Sequence, residues 1–196
     1  MNQLKQLSIV LSVMFMFLGC ASKIPHMLAS DYSKKGMRLI AVMPVKNHTT
    51  DTNASKVLRE MVVNELYFKG YPKIPVSIID EKLSSTYGSK MDFSHGDVPP
   101  KVMGELLGVD AVLYCALIES KTSYVFMYAR TLIDVTFELR STKTGETLWS
   151  TRYNMVKRSF GVSRKQLEME AYQVYEPAIQ EAVDKAVETL PDYSDV

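Results

Sequence analysis

Cysteine is scarce in this chain: two residues, Cys20 and Cys115, are all there are among 196. Cys115 has no nearby histidine in sequence to activate it, and a disulfide framework is excluded if Cys20 is consumed by modification. Histidine is nearly as rare. His26, His48 and His95 include no pair at i, i+4, the spacing that presents two metal ligands from one helix. Charge of one sign is lacking too, since 23 Lys and Arg face 22 Asp and Glu for a formal net charge of +1. That balance argues against nucleic acid, whose phosphates demand a basic surplus. No Gly-x-Ser-x-Gly turn occurs, nor a Gly-x-x-x-x-Gly-Lys phosphate loop. The acidic pairs Glu60 with Glu65 and Glu168 with Glu170 have nothing visible to split their pKa values into acid and base roles. The reading is therefore non-enzymatic, without cofactor or metal. His48 has Asp51 beside it, and His95 has Asp92 and Asp97, but neither loop offers the three or four convergent ligands of a metal site.

Missing also is any apolar run near the roughly 20 residues that a membrane-spanning helix needs. What stands at the start is shorter. Lys5 precedes Ile9–Leu18, apolar except for Ser12, and Leu18-Gly19-Cys20 closes it. A positive start, a short apolar core and a small residue before the cut describe a secretory leader. Ending on Cys, this one resembles the bacterial lipoprotein signal, although Phe17 stands where that pattern prefers Leu. Residues 1–19 are thus expected to be cleaved and Cys20 to carry acyl chains, whose buried methylenes contribute about 0.8 kcal/mol each. In the same pattern Asp after the Cys retains a protein at the inner membrane, so Ala21 implies the outer membrane, with the domain facing the periplasm or the cell surface.

Beyond the leader, residues 20–37 lack a sustained period and contain Pro25 and Gly36, which predicts a tether. One domain is expected over 38–190, with a tail over 191–196. Leu39–Val45 reads as a buried strand. A helix with apolar positions Val57, Leu58, Met61, Val62 and Leu66, capped by Asn53 or Ser55, runs to a glycine stop at Gly70. Val76–Ile79 reads as the next strand, parallel to the first through a crossover. Asp80–Tyr87 is expected as a short helix, Gly88–Val98 as loop, and Pro99-Pro100 as the start of a helix ending at Gly108. Three strands follow over 110–120, 124–140 and 147–157. The middle one alternates, with Thr131, Ile133, Val135, Phe137 and Leu139 on one face. The last pair is joined by a turn through Gly145. Gln166–Leu190 is an amphipathic helix divided or kinked near Pro177. Together these predict an α/β (mixed α+β) fold: a single sandwich with a mixed sheet of about five strands, one parallel β-α-β crossover, an antiparallel meander and packed helices.

Three segments carry a family likeness: Arg38–Asn47, Leu107–Tyr114 and Thr144–Trp149, the last reading Thr-Gly-Glu-Thr-Leu-Trp. They resemble a family of bacterial lipoproteins of unknown function that includes a Neisseria genome-derived vaccine antigen. The likeness runs from Cys20 to about Lys157. More distantly they resemble the fold shared by the TolB N-terminal domain and the curli secretion lipoprotein CsgG. This resemblance implies location and fold rather than an activity.

Two places stand out as partner surfaces. One is the loop Lys46, Asn47, His48 and Thr49, because loops at strand ends carry recognition in α/β folds. The other is Tyr124–Ala129, where Tyr124, Phe126 and Tyr128 would share one strand face. Burial is the preferred reading of that run, and an exposed interface the alternative. Lys157, Arg158, Arg164 and Lys165 cluster before the last helix and read as a solvated connection. Cys115, in the run Ala111–Ile118, reads as a small buried hydrophobe. The function expected from all this is a non-catalytic outer-membrane lipoprotein that binds other envelope proteins, CsgG-like or small lipoproteins among them, in export or surface assembly. A homodimer is a further association open to it. The alternatives are a subunit of a CsgG-like pore and a periplasmic enzyme or small-ligand carrier.

Overall fold

The computed structural model describes residues 23–88 and 98–195. The signal segment, Cys20, the His95 loop and most of the loop expected over 88–98 lie outside them. Six strands, β1 (His26–Leu28), β2 (Ile40–Val42), β3 (Lys46–Asn47), β4 (Ala111–Val125), β5 (Tyr128–Ser141) and β6 (Thr147–Phe160), form one sheet. Their order is β1-β6-β5-β4-β2, with β3 also on β4. β2 and β3 run parallel to β4, and the remaining pairs are antiparallel. The helices are α1 (Thr52–Phe68), α2 (Val76–Tyr87), α3 (Pro100–Leu107), α4 (Arg164–Gln173) and α5 (Tyr175–Val187). A mixed sheet, a parallel crossover and an antiparallel meander are present as the pattern predicts, but the crossover reaches a different second strand.

Helix α1 starts where Asp51 accepts the amides of Asn53 and Ala54 at 3.0 and 2.9 Å, so the cap is Asp51 rather than Asn53 or Ser55. Its end is a Schellman motif. Gly70 takes φ +90°, and the amides of Gly70 and Tyr71 reach back to the carbonyls of Tyr67 and Leu66, a geometry that a side chain would strain. Ala54, Leu58, Val62 and Leu66 lie buried on one stripe of α1. They meet Ala178, Ile179, Ala182 and Val183 of α5 in a core against Leu113, Leu117, Val135, Phe137 and Trp149. A helix break falls at Val174. Pro177 sits in the first turn of α5, where the missing N–H had no helical acceptor to lose.

Val76–Ile79 is the first turn of α2, not a strand. Four apolar residues cannot distinguish the two forms locally. Pro75 precedes the helix, and Ile79 and Leu83, four apart, bury one stripe. That stripe joins Ala41, Met43, Met103, Val109 and Val112 in a second core on the opposite sheet face. The partner strand in the crossover is therefore β4: Ile40 pairs with Ala111 and Val42 with Leu113. Helix α3 runs from Pro100 to Leu107 with Gly108 as its cap, as expected. Gly104 lets α3 sit against Thr142, since a Cβ there would lie 2.5 Å from that residue's own Cβ.

The tether reading of 20–37 fails over the part described. Met27 pairs with Ser150 and Leu28 with Trp149 on the edge of β6. Tyr32 is buried and its hydroxyl lies 2.9 Å from that of Tyr71, and Met37 is buried too. Three residues of ladder are too few to leave a period in the sequence. The C-terminal tail also docks, with the Tyr193 amide on the Lys69 carbonyl.

Candidate functional site

The helices leave part of the sheet uncovered. On one face α1, α4 and α5 pack along the strands; on the other α2 and α3 cover only the end near Val112. The rest of that second face is open. Register places Tyr114, Glu138 and Ser150 in one row across β4, β5 and β6, and Ala116, Thr136 and Arg152 in the next. With Met27, Pro44 and Lys46 along its edge and the buried Met43 beneath, this surface forms a cleft of about 660 Å³. The charges on its β5 and β6 floor are mutually engaged. Arg152 binds Asp134 through Nε and Nη2 at 3.0 and 2.6 Å. Burial alone would raise the Glu138 carboxyl, but hydrogen bonds from Arg140 and Thr147 outweigh it and hold the group below the usual carboxylate range. Arg140 also lies over the Tyr114 ring, 5.5 Å from its centre. The cleft thus sets apolar side chains beside strand charges that are already paired, which suits a contact surface better than an ion site.

Of the predicted loop residues, Lys46 lines this cleft and His48 is exposed. Asn47 and Thr49 are spent on the loop itself: Asn47 Nδ2 donates to the Asp51 carbonyl, and Thr49 donates to Asn47 Oδ1 through N and Oγ1. Asp51 is no cation ligand either. Its Oδ1 takes the two cap amides, and Oδ2 accepts the Tyr175 hydroxyl at 2.5 Å. Ser120 Oγ lies 2.5 Å from the same hydroxyl. A Ser-Tyr-Asp chain invites a catalytic reading, but its proton affinities point away from one. Burial and Asp51 push the Tyr175 phenol up to about 12. Although burial tends to raise Asp51, its hydrogen bonds pull it below the ordinary value. The chain instead joins β4, the start of α1 and the start of α5. Because the folded pKa of Asp51 is depressed, its stabilisation is present above the unfolded value and is lost as pH falls through the folded one. Urea midpoints measured against pH should therefore show the wild type losing stability below about pH 4 more steeply than Asp51→Asn, whose amide still caps the helix.

Tyr124–Ala129 is corrected more sharply. These residues are not one strand: Val125 pairs with Tyr128, and Phe126-Met127 turn the chain back at the tip of a long hairpin. Tyr124 is partly covered by α4, in a cluster with Ala129, Leu167 and Ala171, and Arg164 lies over its ring at 4.1 Å. Phe126 is 95% exposed. The preferred reading of burial fails at the tip because the hairpin outruns the helices that cover its base. The two predicted surfaces do not merge, since Leu117 beside Asn47 and Tyr124 are seven residues apart along β4, roughly 25 Å.

Cys115 is buried, and that burial pushes its thiol up to about 12, as befits an inert core residue. Among the described residues no three His, Cys, Asp or Glu side chains gather closely enough to hold a metal. No helix among them is long and apolar enough to cross a membrane. The cleft and the Ser120-Tyr175-Asp51 chain were missed in sequence. For Asp51 a signal existed, an Asx residue opening a helix; for the cleft there was none, because it consists of what the helices fail to cover.

A family model described as "Putative lipoprotein GNA1162-like" matches residues 29–195. "Putative lipoprotein NMB1124/NMB1162" of Neisseria meningitidis serogroup B is 24% identical over 148 residues, 75% of this chain and 68% of that one. The crystal structure of lipoprotein GNA1162 from Neisseria meningitidis superposes with a TM-score of 0.57 at 25% identity, covering 69% of this chain and 93% of the other.

Proposed function

The chain belongs to the GNA1162-like putative lipoprotein family, and on that premise we propose that it is a non-catalytic envelope lipoprotein, acylated at Cys20 after removal of residues 1–19. It resides at the outer membrane and binds another envelope protein of an export or surface-assembly system. The observation that supports the binding role is the open cleft, where Met27, Pro44 and Tyr114 meet strand residues whose charges are already paired. Such a surface suits an extended apolar segment of a protein laid across the strands, with little desolvation cost from isolated charge.

A CsgG-like pore finds less support. A barrel strand needs one apolar and one polar face. In the hairpin the apolar face is already occupied by α4 and α5, and the other face carries Lys121, Arg130, Asp134, Arg152 and Arg158. An enzyme or carrier reading would need a site of converging, unpaired polar groups, which the cleft floor does not provide.

Filling the cleft tests the proposal. Thr136 is central in it and pairs with Ala116 and Arg152. A photoreactive residue at position 136 should give one reproducible cross-linked protein in cells, and Thr136→Trp should remove the partner from detergent-solubilised complexes while the protein melts within a few degrees of wild type. Retention of the partner by a folded Thr136→Trp protein would place the contact elsewhere.

A further inference from the structure

The tip of the β4–β5 hairpin breaks the rule for two-residue turns. Where φ is positive such turns use Gly, Asn or Asp, because a bulky side chain brings its Cβ too close to the backbone carbonyl there. Phe126 occupies that position at φ +47°, and it is almost fully exposed, so packing does not repay the strain. Around it Val125, Met127, Phe160 and Val162 are exposed as well. Behind this apolar tip the register sets Ser123, Arg130 and Arg158 side by side, then Lys121, Leu132 and Val156. Residues 120–133 and 155–165 hold six Lys and Arg and no Asp or Glu. The nearest acids on α4 are Glu168, which binds Arg164 at 2.7 Å, and Glu170. Lys121, Arg130 and Arg158 have no carboxylate partner among the described residues.

The N-terminal end of the chain points the same way. β1 runs antiparallel to β6, with His26 beside Thr151. Upstream residues therefore travel along β6 toward Phe160, and Lys23 and Ile24 line one hollow with Tyr153 and Asn154. From Asn154 to Phe160 is about 20 Å of strand. Lys23 is three residues from Cys20, a reach of at most about 10 Å. With Cys20 at a bilayer surface and β6 directed toward it, a reach of that length carries the tip about 10 Å below the surface, the depth to which interfacial apolar groups penetrate.

We propose that the apolar tip, Val125 to Met127 with Phe160 and Val162, inserts into the membrane that holds the acyl anchor, while Arg130, Arg158 and Lys121 meet its anionic headgroups. The domain is thereby held at two points and oriented. This rests on acylation of Cys20 and goes beyond the cleft proposal, because it assigns the opposite, lipid-facing end of the molecule. An apolar tip ringed by unpaired cations matches an anionic lipid surface in both respects.

The lipidated protein carrying Phe126→Trp, in vesicles of phosphatidylethanolamine and phosphatidylglycerol, tests this. Trp149, the sole natural tryptophan, is fully buried and supplies a constant background. The new indole should emit to the blue and be quenched by bromines at shallow acyl positions. Tyr67→Trp, at the far end of α1, should not. Adding Arg130→Ser and Arg158→Ser, or replacing phosphatidylglycerol with phosphatidylcholine, should reduce the quenching about twofold or more. Phe126→Gly should melt no lower than wild type, since glycine relieves the turn. A water-quenched signal from the indole introduced at position 126, or a destabilised Phe126→Gly, would overturn the proposal. A blue shift without lipid that grows with protein concentration would assign the patch to a second copy, and one that needs an added envelope protein would assign it to that protein; either also overturns it. Mass spectrometry showing Cys20 unmodified would remove the anchor and overturn it too, whereas failure at the tip alone leaves the cleft proposal standing.

Discussion

Replacing Trp149 with Ala is expected to lower the unfolding free energy by about 3–5 kcal/mol, the range for deleting a fully enclosed aromatic. For a domain of this size that is a fall of roughly 10 °C in melting temperature. Trp149 has no exposed surface, packs against Phe137 with ring centres 6.3 Å apart, and donates Nε1–H to Thr189 Oγ1 at 3.0 Å. It thus joins β6, β5 and the residues just after α5. On its strand it is also the residue opposite Leu28, so the cavity would loosen the edge on which β1 lies. Thr189→Val removes the acceptor, together with the hydroxyl's own bond to the Ala186 carbonyl at 2.8 Å, and should cost about 1–2 kcal/mol. Urea denaturation of both variants separates the two contributions. Equal losses would mean that the indole hydrogen bond, rather than packed volume, carries the effect.

The second large effect is expected at Arg59. This α1 side chain, 8% exposed, donates Nε and Nη2 to the Val42 carbonyl at 3.1 and 3.0 Å, and Nη1 to both Asp80 oxygens at 2.8 and 2.9 Å. β2 is the last strand on its side of the sheet, and the guanidinium covers its outward carbonyl and links it to α2. Arg59→Ala leaves that carbonyl without a donor and removes a packed stem, for an expected loss of about 2–3 kcal/mol. It also bares a strand edge, so its unfolding should be accompanied by association visible in size-exclusion chromatography. Asp80→Asn should cost below about 1 kcal/mol, because the Asp80 side chain is 50% exposed and its charge is solvated. Arg59→Lys should recover little, since an ammonium cannot fork between a carbonyl and a carboxylate. If Asp80→Asn proved as damaging as Arg59→Ala, the ion pair and not the carbonyl would be the source of the effect.

Much of the architecture is legible in the sequence where a period runs long enough. Thr131 to Leu139 bury every second residue, the turn at Gly145 closes the last hairpin, and the α5 stripe is buried as its spacing requires. Reading fails over short runs. Val76–Ile79 reads as a strand because four apolar residues satisfy either period, and the second core beneath α2 breaks the tie. His26–Leu28 reads as tether because its ladder is backbone hydrogen bonding, to which side-chain pattern is blind. The candidate sites are less legible than the fold. Asn47 and Thr49 brace their own loop, while Tyr114, Thr136 and Arg152 give no signal because they lie on three different strands.

The chain by itself determined the alternating strands, the glycine stops of the helices, the charge balance and a family likeness, because each is a property of neighbours within about one turn or one strand. Only the tertiary structure decided which faces were covered. It left one sheet face open as a cleft and carried Phe126 past the last helix into solvent. Burial depends on how far packed elements extend in space, and no local stretch of residues records where its distant neighbours stop.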